Sequence, residues 1–289
     1  KNNLDKTDNS TPLDFNINIA NDVGIIIYDE AHYFNDDKRG HIWEECYIKQ
    51  PKNVPMLLMS ATLDNPTIFA EWLEQITNKT TVLAQTNIRQ VPLYHYMWLS
   101  SNNNAVYKKI KNSIIADKIT TNSNKLILLK HTEFNDKHYN QISTCKKELF
   151  KHHIKCSTKY LMNNVVNYLS TNQLTPAICF IYSRKLVEQY ASYINKTLHQ
   201  DGKKINKIQS ECVNILMKLP NYKEYINTIE YTNIITLLEK GIAIHHSGML
   251  PIFREMVEIM FSKGYVELLF ATETFALGLN MPTKTVLFT

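Results

Sequence analysis

Asp29 and Glu30 stand side by side, and His32 follows two residues later. They come directly after Val23-Gly24-Ile25-Ile26-Ile27-Tyr28, a short apolar run rich in β-branched side chains. Such a run reads as a strand buried on both faces, as in a parallel sheet covered by helices. Ligands of open α/β sheets bind beyond the carboxyl ends of the strands. The pair is therefore expected at a ligand edge. One carboxylate can hold a divalent metal through water while the other orients or deprotonates an attacking water. Phosphoanhydride hydrolysis needs both jobs done, because its catalysis is mostly positioning and charge neutralisation. The plainer reading is a strand that ends in a solvated acidic turn.

Three further sets of residues fall at strand ends. Pro55 to Met59 is the next apolar run, and Ser60-Ala61-Thr62 closes it. Small hydroxyl side chains there can hydrogen-bond the carboxylates of a neighbouring strand. Ala177 to Tyr182 is another, ending in Ser183-Arg184-Lys185. Val266 to Phe270 is a third, and Ala271-Thr272-Glu273-Thr274-Phe275-Ala276-Leu277-Gly278-Leu279-Asn280-Met281-Pro282 follows it. Thr272 would emerge at the ligand edge with its hydroxyl and backbone N–H available. Glu273 to Leu277 would start a short helix, whose N-terminus attracts phosphate. Gly278 would let the backbone approach a ligand closely. The bland alternative is a strand-to-helix turn with a capping threonine.

The elements that position these residues are legible as patterns. Arg39 to Ile48 reads as a helix closed by Pro51. Asn65 is placed to cap the next helix, with Pro66 in its first turn and Ile68, Phe69, Trp72, Leu73 and Ile76 at helical spacing. Thr80 to Ala84 reads as a strand. Ser100 to Asn124 is polar and reads as a loop or linker, and Lys125 to Lys130 as a short strand. Tyr160, Val165, Val166 and Leu169 mark a helix, as do Val187, Tyr190, Ala191 and Ile194. Lys203 to Lys240 is helical in pattern and broken at Pro220. Gly241 to Pro251 is a strand and turn, Ile252 to Phe261 a helix, and Lys284 to Phe288 a last strand.

Composition sets outer bounds. The 289 residues suffice for two domains. Lys+Arg 32 against Asp+Glu 27 gives +5, which permits an acidic partner without demanding one. The five cysteines are odd in number and contain no Cys-x-x-Cys, which favours a reducing compartment, cytoplasm or nucleus. No apolar run approaches the ~20 residues needed to span a bilayer, so no membrane is expected. Lys1 to Asn16 reads as a polar lead-in. Cys145 to Lys159 is basic and is either a patch on a nucleic-acid path or a solvated helix face. Cys145, His152, His153 and Cys156 match no common zinc spacing, and no structural zinc is expected there. Of His245 and His246, one is expected in the core and neither as a metal ligand.

Tyr28-Asp29-Glu30-Ala31-His32-Tyr33-Phe34-Asn35-Asp36, continuing through Arg39-Gly40 to Trp43-Glu44-Glu45, resembles motif II of superfamily 2 DExH helicases. The form is that of the superkiller-type RNA helicases that serve the RNA exosome. Splicing-type relatives continue with Glu-Arg where this chain has Tyr33. Ser60-Ala61-Thr62 resembles motif III, and Arg89 to Tyr96 the segment leaving the first motor lobe. Ser183-Arg184 resembles motif IV. Gly241 to Pro251 and Ala271 to Pro282 resemble the His-His-Ser-Gly segment and motif V. The resemblance covers roughly three quarters of the sequence, in order.

It implies an α/β chain with two RecA-like lobes of parallel sheets flanked by helices, both incomplete. The first would run over 1–99 and the second over 157–289, with 100–156 connecting. It implies ATP-driven translocation or unwinding, 3′ to 5′, on single-stranded RNA or a 3′-tailed duplex. Asp29 would hold Mg²⁺ through water, Glu30 would be the general base, and His32 would couple to Ser60, Ala61 and Thr62. Ser183, Arg184 and Thr272 would touch RNA phosphates. Gly278 and Asn280 would lie near ATP. Exosome-like or RNA-processing proteins are the implied partners. No Gly-x-x-x-x-Gly-Lys occurs. The family places that loop before motif II and the arginine-rich motif VI after motif V. The chain is thus expected to be a motor fragment, inactive alone. Two rivals remain: a non-catalytic RNA-binding scaffold, and a DNA helicase of the related repair branch.

Overall fold

The computed structural model describes residues 19–37, 39–86, 88–199, 202–272, 275 and 281–289. Two compact units divide at 90/91. The first holds α1 (Ile19–Asp22), β1 (Ile26–Tyr28), a 3-10 turn (Ala31–Asn35), α2 (Gly40–Lys49), β2 (Met56–Leu58) and α3 (Pro66–Thr77). β1 and β2 are parallel, with Ile26 opposite Met56 and Tyr28 opposite Leu58. Side chains alternate along a strand. Tyr28 turns into an aromatic layer, with ring centroids 4.8 Å from Tyr47 of α2. Phe34 sits 5.1 Å from both Phe69 and Trp72 of α3. Tyr47, Val54 and Leu73 are buried with them.

Two expectations fail in this unit and a third holds only in part. The strands are not buried on both faces: Ile27 is 55% exposed and Leu57 45%. The helices that cover the Tyr28 face leave the Ile27 face open among the described residues. Thr80 to Ala84 forms no strand, and Val82 is 87% exposed. A β-branched run needs a ladder partner, and sequence propensity cannot supply one. Asn65 does occupy the cap position of α3. It does so in the left-handed conformation (φ 50°, ψ 61°), and its side chain makes no capping bond.

The second unit opens with β3 (His95–Trp98), α4 (Asn103–Lys109), α5 (Ser113–Thr121), β4 (Leu126–Lys130) and α6 (Asp136–Lys151). β3 and β4 are antiparallel. The stretch 100–124, expected as a loop, is mostly helical. Its asparagines start helices: the Asn102 side chain accepts from the Ala105 N–H and Asn112 from the Ile115 N–H. Val106, Ile110, Ala116 and Ile119 then pack against Cys145 and Leu149 of α6. Lys146, Lys147 and Lys151 lie on the opposite, exposed face of α6.

A four-stranded parallel sheet follows. Its elements are α7 (Thr158–Thr171), β5 (Ala177–Phe180), α8 (Arg184–Tyr193), α9 (Gly202–Leu216), α10 (Tyr222–Ile226), α11 (Ile229–Glu239), β6 (Ile242–His245), α12 (Pro251–Ser262), β7 (Leu268–Ala271) and β8 (Thr285–Phe288). The strand order is β6-β7-β5-β8. Alternation feeds two cores. Leu268 and Phe270 of β7 join Val165, Leu169 and Val187 from α7 and α8. Leu269 and Ala271 join Cys212, Ile234, Phe253 and Met260 from α9, α11 and α12. All four β7 residues are buried, and each large apolar side chain so buried contributes about 1.5–3 kcal/mol. Burial pushes the Cys179 and Cys212 thiols up to about 12. Gly241 (φ 79°) takes the left-handed position after α11, where a side chain would be strained. The protein is mixed α/β, with parallel sheets flanked by helices. No helix among the described residues is long and apolar enough to cross a membrane.

Candidate functional site

The β1–β2 ladder runs past the strand ends. The Met59 N–H donates to the Tyr28 carbonyl and the Ala31 N–H donates to the Met59 carbonyl, both at 2.9 Å. These two bonds bring the exits of both strands together. Asp29 and Glu30 leave the sheet exposed. Glu30 is left-handed, at φ 54° and ψ 45°. For a side chain with a Cβ that conformation costs about 1–3 kcal/mol. Three bonds hold it: the Ala31 bond to β2, the Glu30 N–H to Asp29 Oδ1 at 2.9 Å, and the Tyr33 N–H to the Glu30 carbonyl at 3.1 Å.

The turn carries the Glu30 carboxylate to His32, with Oε2 3.1 Å from Nδ1. The same Nδ1 lies 3.4 Å from Ser60 Oγ. The Ser60 hydroxyl donates to the Thr62 carbonyl at 3.0 Å. Its single proton being used there, Ser60 must accept from His32, and we assign the proton to Nδ1. A carboxylate acceptor beside Nδ1 agrees with that tautomer. Ser60 thus meets His32, with which the resemblance pairs it, where the residues alone also allowed a carboxylate of the neighbouring strand. Ala61 and Thr62 are exposed beside it.

The second unit gathers its own strand-end residues. Ser183 stands at the start of α8, where its side chain makes no capping bond, and Arg184 is exposed. A Cβ on Gly248 would meet His246 Nδ1 at 3.1 Å and Arg184 Cδ at 3.4 Å, so the arginine stem lies along the turn after β6. Thr272 is buried. Its N–H is not available, contrary to expectation, because it donates to the His245 carbonyl at 3.1 Å. The parallel ladder simply continues one residue past β7. Gly278 and Asn280, like most of 273–280, lie outside the described residues.

Both His245 and His246 are core residues. His245 Nε2 lies 2.7 Å from Glu258 Oε1, and its ring meets Phe275 edge-on at 4.7 Å. Burial outweighs the carboxylate and holds the imidazole below its usual pKa. A neutral ring donates from Nε2, which leaves the buried Nδ1 without a partner among the described residues. His246 Nδ1 accepts the Gly248 N–H at 3.2 Å, and Nε2 lies 3.1 Å from Glu188 Oε1. Glu258 escaped sequence reasoning. The signal for it was its place on the face of α12 that continues from Pro251 and Arg254. Among the described residues no group of three or more His, Cys, Asp or Glu could hold a metal. Cys145 is buried in the core, and Cys156 donates to the Ser100 carbonyl.

Residues 8–69 match the DEAD/DEAH box helicase family. The chain is 33% identical over 280 residues to the DExH-box ATP-dependent RNA helicase DExH9 of Arabidopsis thaliana, covering 94% of this chain and 27% of that protein. It is 31% identical to the antiviral helicase SKI2 of Saccharomyces cerevisiae, covering 93% of this chain and 24% of the relative. Identity to the human exosome RNA helicase MTR4 is also 31%, over 94% of this chain and 25% of the relative. The chain thus spans about a quarter of the length of the curated relatives it matches. It carries a DEAD/DEAH box helicase segment, with its Asp-Glu-Ala-His turn joined to Ser60, and along nearly its whole length it is similar to DExH RNA helicases of the SKI2 and MTR4 type.

Proposed function

We propose that this chain supplies the hydrolytic carboxylates of an ATP-dependent RNA helicase. The observation that carries the reading is Glu30, exposed at the end of β1 and held in a strained conformation against His32. Strain of that kind persists where the surroundings over-determine it, as at functional sites. Glu30 is the general base for the attacking water. Asp29 holds Mg²⁺ through water: one of its oxygens takes the Glu30 N–H, and the exposed carboxylate suits a hard cation that keeps its hydration shell. The metal supplies charge neutralisation on the ATP phosphates. His32 and Ser60 relay the state of the β1 end to the end of β2, with Ala61 and Thr62 completing that segment.

The lobes of the motor are 1–99 and 157–289, with 100–156 connecting them. Ser183, Arg184 and Thr272 face RNA phosphates, Thr272 through its side chain only. Gly278 and Asn280 are assigned to the nucleotide by their resemblance to motif V alone. Movement is 3′ to 5′ on single-stranded or 3′-tailed RNA, within an exosome-like or RNA-processing assembly. The five cysteines are free, which supports a reducing compartment, cytoplasm or nucleus. The test is ATP turnover by the complete gene product with RNA or DNA present, and strand separation on 3′- and 5′-tailed duplexes. RNA-stimulated turnover and unwinding from the 3′ tail are expected. Stimulation by DNA alone would favour the repair-type reading. RNA binding with no turnover would favour a scaffold.

A further inference from the structure

His32 is held from both sides. On one side Nδ1 reaches Glu30 and Ser60. On the other, its ring stacks on Tyr33, with centroids 4.7 Å apart and planes 29° apart. Tyr33 is itself clamped. The Arg39 guanidinium lies 4.8 Å from its ring centroid, and Trp43 stacks 6.1 Å away at 25°. Cation–π and stacking contacts of this kind each favour one ring orientation. Asp36 anchors the arginine twice: Oδ1 accepts the Arg39 N–H at 2.9 Å, and Oδ2 accepts Nη2 at 3.2 Å. Asp36 also takes the Gly40 N–H on its own carbonyl at 2.7 Å. A continuous path therefore runs from Asp36 through Arg39, Tyr33 and His32 to Glu30 and Ser60.

We propose that Tyr33, clamped by Arg39 and Trp43, is a positioning residue that fixes the His32 ring for its joint contact with Glu30 and Ser60, and so sets how strongly RNA stimulates ATP turnover. The physical case is one of freedom. A half-buried histidine still turns about two side-chain bonds, and its single Nδ1 must meet both Glu30 Oε2 at 3.1 Å and Ser60 Oγ at 3.4 Å, which restricts the ring positions allowed. A flat aromatic face against the imidazole removes the other positions. An aliphatic side chain of similar bulk fills the space but imposes no plane. Tyr33 touches neither nucleotide nor RNA in this account and acts only through His32. The inference rests on the helicase reading.

The test compares Tyr33→Phe, which keeps the stack, with Tyr33→Leu, which keeps bulk and removes it. In the complete gene product, Tyr33→Leu should lower the RNA-stimulated kcat about tenfold, with KM for ATP and basal turnover within about twofold of wild type. Tyr33→Phe should restore stimulation. In parallel, proton spectra of this chain should show the His32 ring signals shifted upfield in the wild type and in Tyr33→Phe, and returned downfield in Tyr33→Leu. An unchanged His32 shift in Tyr33→Leu would overturn the positioning role. So would a loss of turnover that follows the loss of folded protein. If the wild type showed no RNA-stimulated turnover, the helicase reading and the coupling role would fall together. The His32 shifts would still decide separately whether Tyr33 positions the ring.

Discussion

His32 Nδ1 stands 3.4 Å from Ser60 Oγ, across the ends of two paired strands. Ser60 spends its proton on the Thr62 carbonyl, so the histidine reads the oxygen's position and not its donor. Replacing Ser60 with Ala removes the acceptor and leaves the Glu30 contact in place. In the complete gene product, Ser60→Ala should reduce unwinding more than RNA-stimulated ATP turnover. A hydrogen bond of this exposed kind contributes about 0.5–1.5 kcal/mol, so turnover should fall by no more than about tenfold. Paired unwinding and turnover assays on one preparation check this. Equal losses in both would argue against coupling through this contact.

The first unit carries two sharp packing tests. The Tyr47 hydroxyl is buried with no hydrogen-bond partner among the described residues, and burial raises its pKa. Tyr47→Phe should therefore stabilise the unit, by about 1 kcal/mol. Gly40 is the opposite case. A Cβ there would run into the Phe34 carbonyl oxygen. Gly40→Ala should destabilise by about 1–3 kcal/mol. Urea unfolding followed by tryptophan fluorescence measures both, through Trp43 and Trp72 in the same aromatic layer.

Stability of the second unit should fall in mild acid. Burial holds His199 and His245 below the usual imidazole value of 6.5. Glu267 and Lys204 act on His199, and Glu258, Arg254 and His246 act on His245. The folded state keeps both rings neutral to lower pH than the unfolded state does. Unfolded chains then bind more protons below about pH 6.5, and stability drops with falling pH until the folded values are reached. Each histidine contributes at most about 1.4 kcal/mol per pH unit within that window. Unfolding midpoints at several pH values between 7.5 and 5 should decline, and His199→Gln should shallow the decline. A flat profile would contradict the account.

Most strands and most helices are legible because their signal is local, β3 at His95–Trp98 being an exception. The apolar runs at Ile26, Met56, Ala177, Ile242 and Leu268 all mark strands. What the sequence hid depends on what lies opposite. Ile27 reads as core and is exposed, because a run shows hydrophobicity and not how many faces are covered. The asparagines at 102 and 112 read as loop, yet each starts a helix whose apolar face meets α6. The Asp-Glu-Ala-His turn and Ser60 could be placed at adjacent strand ends by spacing alone. The stack of Arg39 on Tyr33 could not, because a turn and not a periodic element brings the two together. Nor could the N–H of Thr272, which the ladder to His245 consumes.

The central claim is that Glu30 is the base for ATP hydrolysis. Turnover and nucleotide affinity of the complete gene product carrying Glu30→Gln test it most directly. The substitution keeps shape and the left-handed turn while removing the proton acceptor. RNA-stimulated kcat should fall by about 10²–10⁴-fold, with the Kd for ATP and Mg²⁺ changed by less than about threefold. Asp29→Asn in the same assay should instead weaken Mg²⁺-dependent binding. Equal loss of binding and turnover in Glu30→Gln, or turnover left at the wild-type rate, would contradict the account.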